Sequence, residues 1–240
     1  MTMQVGLVGS NGVVIASDTK WVNQTSWPTR NPWHSTKFKI NHECGVAIAC
    51  AQNMETAFPF ADEIISESLK NGEWMASHDF DVTKRIVEKI LCSAAKTRER
   101  AQCMVAFTRP KVELCFFQIA KVNGEWGPMF HSIPEGSVYA GDDGNQAKFL
   151  ADKYYRNRIL PVENLVPLAA HLVLAAGEMN SAMIDGLEIV LCDASGIRRL
   201  SEESISKLKS GVAKRDEMIS ASLFDDRSPT LFESFGHEND

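Results

Sequence analysis

The chain has 240 residues, 25 Lys+Arg against 31 Asp+Glu, a formal net charge of -6, and 44% hydrophobic and 23% charged residues. So much apolar residue with so modest a charge excludes intrinsic disorder and fills a sizeable core, and the mild acidity argues against a nucleic-acid partner, which needs a basic surface. The most apolar run, 165–176, contains Pro167 and His171 and is too short to cross a bilayer; no basic segment leads into an apolar run at the start, so a cytoplasmic protein without a membrane partner is expected.

Residues 3–8 alternate and are rich in branched side chains, which predicts a strand. Ser10-Asn11-Gly12 supplies a hairpin turn, and 13–16 return as a second strand. An irregular stretch over 20–36 carries Trp21, Trp27 and Trp33. A second hairpin follows, with strands over 37–40 and 45–49, and then two helices over 54–70 and 82–100, apolar at three- and four-residue spacing. Further strands are expected over 103–108, 112–120, 129–132 and 137–140, with a turn at Asn123-Gly124. A second helical pair over 145–158 and 162–176 precedes strands over 187–192 and 197–200. The last helix opens at Ser201-Glu202-Glu203, acidic first and basic later, as the helix dipole favours. Segregated runs of strands and helices point to an α+β layer protein, with two sheets at its centre and helices outside.

Six cysteines lack any Cys-x-x-Cys pair and sit in apolar runs, so they read as buried thiols. Six scattered histidines show no metal-ligand spacing, and no glycine-rich phosphate loop is present; neither a metal nor a cofactor is expected.

Thr2 follows the initiator methionine and leads straight into a strand. If Met1 is removed, one residue offers both a hydroxyl that attacks a carbonyl and an α-amino group, with an ordinary pKa near ~8, that takes the proton. At this point the chain resembles a family. Thr2 with Asn11-Gly12-Val13-Val14-Ile15-Ala16-Ser17-Asp18 is similar to the opening of proteasome β-type subunits and the related HslV peptidase. Lys37-Phe38-Lys39-Ile40 and Gly45-Val46-Ala47-Ile48-Ala49-Cys50-Ala51 resemble their lysine-bearing strand and the small-residue strand after it. Glu178-Met179-Asn180-Ser181 resembles their Asp-x-x-Ser segment. The order of elements matches to about residue 209, most like the single-gene bacterial homologues, the ancestral-β-subunit or beta-proteobacterial groups.

The resemblance implies the four-layer αββα sandwich of N-terminal-nucleophile hydrolases over 1–209, with a C-terminal extension over 210–240. It implies a threonine-type endopeptidase assembled with copies of itself into a ring that takes peptide or unfolded polypeptide; an ATPase partner is left open. Thr2 would be the nucleophile and, through its amine, the base; Lys37 would lower the hydroxyl pKa by its charge and help shuttle the proton, Asp18 would hold that lysine charged, and Ser181 would orient the Thr2 amine. A backbone N–H at Cys50 would form the oxyanion hole, and Val22 and Ile48 would line the substrate cleft.

Some positions depart from the family. Lys37 stands three residues before Ile40 where four are usual, so Thr36 occupies the expected place and Lys39 is a second candidate on the face of Lys37. Glu178 replaces an Asp, Asp143 stands in for a serine that supports the amine, and Cys50 replaces a glycine. Two alternatives therefore stand beside the peptidase: a ring or scaffold subunit with an eroded site, and an N-terminal-nucleophile amidase acting on a small acyl-amide.

Overall fold

The computed structural model describes residues 2–22, 33–70, 99–109, 111–141, 149, 151–153, 155 and 159–223. In chain order, β1 (Met3–Val8) and β2 (Gly12–Ser17) form the first hairpin, followed by two-residue strands β3 (Lys20–Trp21) and β4 (Trp33–His34). Next come β5 (Phe38–Asn41), β6 (Val46–Gln52), helix α1 (Met54–Lys70), β7 (Ala101–Phe107), β8 (Glu113–Val122), β9 (Glu125–Ile133) and β10 (Ser137–Gly141). Helix α2 (Val162–Met179), strands β11 (Glu188–Asp193) and β12 (Gly196–Arg199), and helix α3 (Glu202–Leu223) complete the fold.

Two five-stranded sheets result, ordered β10-β1-β2-β11-β12 and β5-β6-β7-β8-β9, and every pair in both is antiparallel. Alternation of side chains along each strand explains how they stack. Val46, Ile48 and Cys50 of β6 face α1 and pack with Ala57, Phe60, Ala61 and Ile64. The intervening Ala47, Ala49 and Ala51 face the other sheet and meet Val13, Ile15, Val190 and Cys192. On the far side of that other sheet, Val5, Leu7, Val14 and Ile189 pack under Leu165, Ala169, Leu172 and Val173 of α2. Three buried apolar layers thus separate helix, sheet, sheet and helix.

Local chemistry sets the connections. Asn123 and Gly124 both adopt positive φ, 52° and 92°, as a two-residue turn between twisted strands demands. Pro161 precedes α2 and offers no side-chain cap; the first N–H of the helix, at Val162, is taken by Asn11 Oδ1 at 2.8 Å instead, so the first hairpin turn caps a helix 151 residues away. The expected helix over 82–100 falls almost wholly outside the described residues and the one over 145–158 largely so, as do Trp27 and 224–240. The boundary expected at 209 lies inside α3, and Val212 beyond it is 2% exposed in the α2 layer. Among the described residues no helix is long and apolar enough to cross a membrane.

Candidate active site

The site forms between the two sheets at the start of β1. The backbones of residues 3 and 18 lock together: Asp18 N–H donates to Met3 O at 3.0 Å, and Met3 N–H donates to Asp18 Oδ1 at 2.8 Å. This holds Thr2 beside the carboxylate that ends β2. Gly141 makes the approach possible. Its φ is +104°, and a Cβ there would lie 1.5 Å from the Thr2 carbonyl oxygen, so no other residue fits.

Lys37 enters from the second sheet, just before β5. Its Nζ donates to Asp18 Oδ2 at 2.7 Å, to Asp18 Oδ1 at 2.9 Å and to Thr2 Oγ1 at 3.0 Å. Lys37 and Asp18 are wholly buried and Thr2 is 2% exposed. Burial pulls the Lys37 ammonium below its ordinary value, opposed by the charge and hydrogen bonds of Asp18. Burial likewise raises the Asp18 carboxyl, opposed by the Lys37 charge and by hydrogen bonds from Lys37 and Met3 N–H. A lysine made easier to deprotonate, 3.0 Å from a hydroxyl, is a competent proton acceptor for that hydroxyl. Of the two lysine candidates, Lys37 points here. Lys39 turns to α1, where it pairs with Asp62 at 3.0 Å and lies 5.1 Å from the Phe58 ring centre.

Several neighbours carry no motif. The Trp21 ring lies 4.9 Å from Lys37 Nζ and 5.8 Å from the Phe58 ring, closing the α1 side of the ammonium. Gln4 Nε2 donates to Cys50 O at 2.8 Å and to Ser17 Oγ at 3.2 Å, and Ser17 Oγ donates to Asp18 O at 2.9 Å. Sequence reasoning missed both: polar residues in otherwise apolar strands were the available signal, and the two are fully buried, where a polar side chain needs partners.

Other expected site residues lie differently. The N–H of Cys50 donates to Lys37 O at 2.8 Å within the β5–β6 pairing, so the expectation that it receives an oxyanion is corrected: it is already bonded. Ile48 is wholly buried beneath α1, opposite Lys39, and is a core residue and not a cleft residue. Val22, half-buried, directly follows β3. Ser181 and Glu178 are exposed and line a cavity of about 350 Å³ with Asp185, Gly186 and Lys209, to which Thr2, Asp18 and Lys37 do not contribute. Ser181 is tied to the strand leaving Asp18 through its carbonyl, which accepts from Lys20 Nζ at 2.7 Å. Asp143 lies outside the described residues. Among the described residues no three His, Cys, Asp or Glu side chains gather as metal ligands.

No protein-family model matches the chain, and no curated protein does. Among solved structures it is similar to Anbu (ancestral β-subunit) from Yersinia bercovieri, with a TM-score of 0.69 at 13% identity over 91% of this chain and 96% of that one. It is also similar to a mutant Anbu from Hyphomicrobium sp. strain MC1, with a TM-score of 0.67 at 14% identity over 92% and 97%. The likeness runs through nearly the whole of each chain, and the fold that carries Thr2, Asp18 and Lys37 is similar to that of Anbu.

Proposed function

We propose that the protein is a threonine-type peptidase of the N-terminal-nucleophile class, acting through Thr2 once Met1 is removed. The observation that carries this reading is the buried ammonium of Lys37, bonded at once to Thr2 Oγ1 and to both oxygens of Asp18. Thr2 Oγ attacks the substrate carbonyl as Lys37, in its neutral form, takes the hydroxyl proton. The C–N bond of the tetrahedral adduct then breaks, the leaving amine taking a proton from the site, and an acyl ester remains on Thr2. Water, its proton accepted by the Thr2 α-amine, hydrolyses that ester and restores the hydroxyl. Asp18 keeps the lysine in place and stabilises its charged form after proton uptake. The proteasome-like fold supports an assembly of copies with inward-facing sites and unfolded polypeptide as the substrate, and Ser181 with Glu178 remains the proposed support for the terminal amine.

A second reading, a ring or scaffold subunit without turnover, is favoured by one observation: the Cys50 N–H expected to stabilise the oxyanion is bonded to Lys37 O. Mass spectrometry of the purified N-terminus, together with labelling by a β-lactone that acylates N-terminal threonine, separates the two. The peptidase requires a mature chain beginning at Thr2, label on that residue, and loss of both labelling and peptide cleavage in Thr2→Ala. An assembled protein free of Met1 that takes no label is a scaffold.

A further inference from the structure

The two charged partners of the site come from different sheets: Asp18 leaves β2 and Lys37 enters β5. Phe38, buried in the apolar layer between the sheets, and the bond from Cys50 N–H to Lys37 O hold the register of the approaching strand. The hold on residue 37 matters, because a slip of one residue would present Thr36 in its place.

A polar connection on the opposite side of this strand adds a directional contact to that hold. Thr36 Oγ1 donates to Glu188 Oε1 at 3.0 Å, and Phe38 N–H donates to Thr36 Oγ1 at 3.1 Å. Arg199 Nε reaches the same Glu188 oxygen at 2.9 Å. Glu188 stands on β11 directly opposite Ser17 in the ladder with β2, and Ser17 precedes Asp18. The rung Ser17–Glu188 therefore serves both halves of the site. From Ser17 the chain runs to Asp18; from Glu188 the hydrogen bond crosses to Thr36, and the chain runs to Lys37. The Lys37–Asp18 ion pair closes this loop through both sheets. Glu188 also bears an unusual burden: its side chain is 11% exposed, and its second oxygen, Oε2, is buried without a hydrogen-bond partner. A half-satisfied buried carboxylate is a poor choice for stability alone.

We propose that Glu188, through Thr36, is a positioning residue that anchors the segment entering β5 and so aims Lys37 at Thr2; the role rests on reading Thr2 as the nucleophile. Thr36 is exposed, so Thr36→Val removes the hydroxyl without opening a core cavity, and Thr36→Ser keeps it. The measurements, on Met1-free protein, are the rate of Thr2 acylation by the β-lactone across pH, the titration of Lys37 Nζ by NMR of lysine-labelled protein, and the melting temperature. Thr36→Val should slow acylation about tenfold and move both the pH profile and the Lys37 titration, while Thr36→Ser retains wild-type behaviour. Because the two residues act in one chain of contacts, adding Glu188→Gln to Thr36→Val should lower the rate little further. A Thr36→Val protein whose pH profile and Lys37 titration match the wild type overturns the proposal, even if its melting temperature falls. If the wild type takes no label, the peptidase reading fails separately, and the Lys37 titration alone decides: a shift in Thr36→Val upholds the positioning role and no shift overturns it.

Discussion

Lys37 is fully buried between a carboxylate and a hydroxyl, and removing its charge alone leaves Asp18 buried and uncompensated. Lys37→Met should therefore destabilise the fold by about 3–5 kcal/mol, whereas Lys37→Met with Asp18→Asn, which removes both charges, should recover most of that loss in urea titrations. Both variants should lose Thr2 acylation. The pH behaviour follows from the same burial. Because the folded Lys37 value lies below 10.5, the unfolded chain holds this proton more tightly. The contribution of Lys37 to stability is thus least below its folded value, rises with pH between that value and 10.5, and then levels off. Asp18 runs the other way: its folded value lies above 3.8, so its contribution is full below 3.8 and is lost as pH rises through the folded value. The stability difference between wild type and the double variant should show both slopes. Acylation should climb with pH through the lowered Lys37 value and reach its plateau below 10.5. Residue by residue, Thr2, Asp18 and Lys37 were singled out by the resemblance of their strand-end segments to a known family, and the structure brings the three together. Trp21 was not: its place over the ammonium depends on a two-residue ladder with Trp33 that no periodicity announces.

At the scale of elements, the site depends on strands that contribute no chemistry of their own. β10 brings Gly141 against the Thr2 carbonyl, so Gly141→Ala should push Thr2 away from Lys37 and abolish acylation, with a loss of thermal stability seen in the same samples. β3 holds Trp21 over Lys37; Trp21→Ala should let water reach the ammonium and move the pH profile of acylation upward, toward ordinary lysine behaviour. Strand alternation and turn chemistry made β1, β2, β8 and β11 readable from the sequence, and three- and four-residue apolar spacing made α1 readable, since all of these are local signals. The contributions of Cys50 and Ile48 were misread for a non-local reason. Whether an N–H is free or a side chain faces a cleft is decided by the neighbouring strand and by α1, and neither appears in the residues themselves.

Across the whole molecule, three apolar layers hold two sheets between helices, and the buried site lies between strand ends of the two sheets. Ile15, wholly buried in that layer, should lower stability by about 2–5 kcal/mol when changed to Ala, measured by denaturant unfolding. The layer order followed from the segregation of strands and helices in the chain, but the pairing that places β11 beside β2, and so Glu188 beside Ser17, joins residues 171 positions apart and had no sequence signature. One feature of this frame bears on how the protein can be handled. Thr2 is held through Met3, whose N–H donates to the Asp18 carboxylate and whose carbonyl accepts from the Asp18 N–H, on the side of the chain that leads into the fold. Folding and reactivity are consequently separable at this terminus. A short tag fused ahead of Thr2 should leave the melting temperature unchanged while silencing the residue, and proteolytic removal of the tag to leave Thr2 first should switch it on in protein that is already folded.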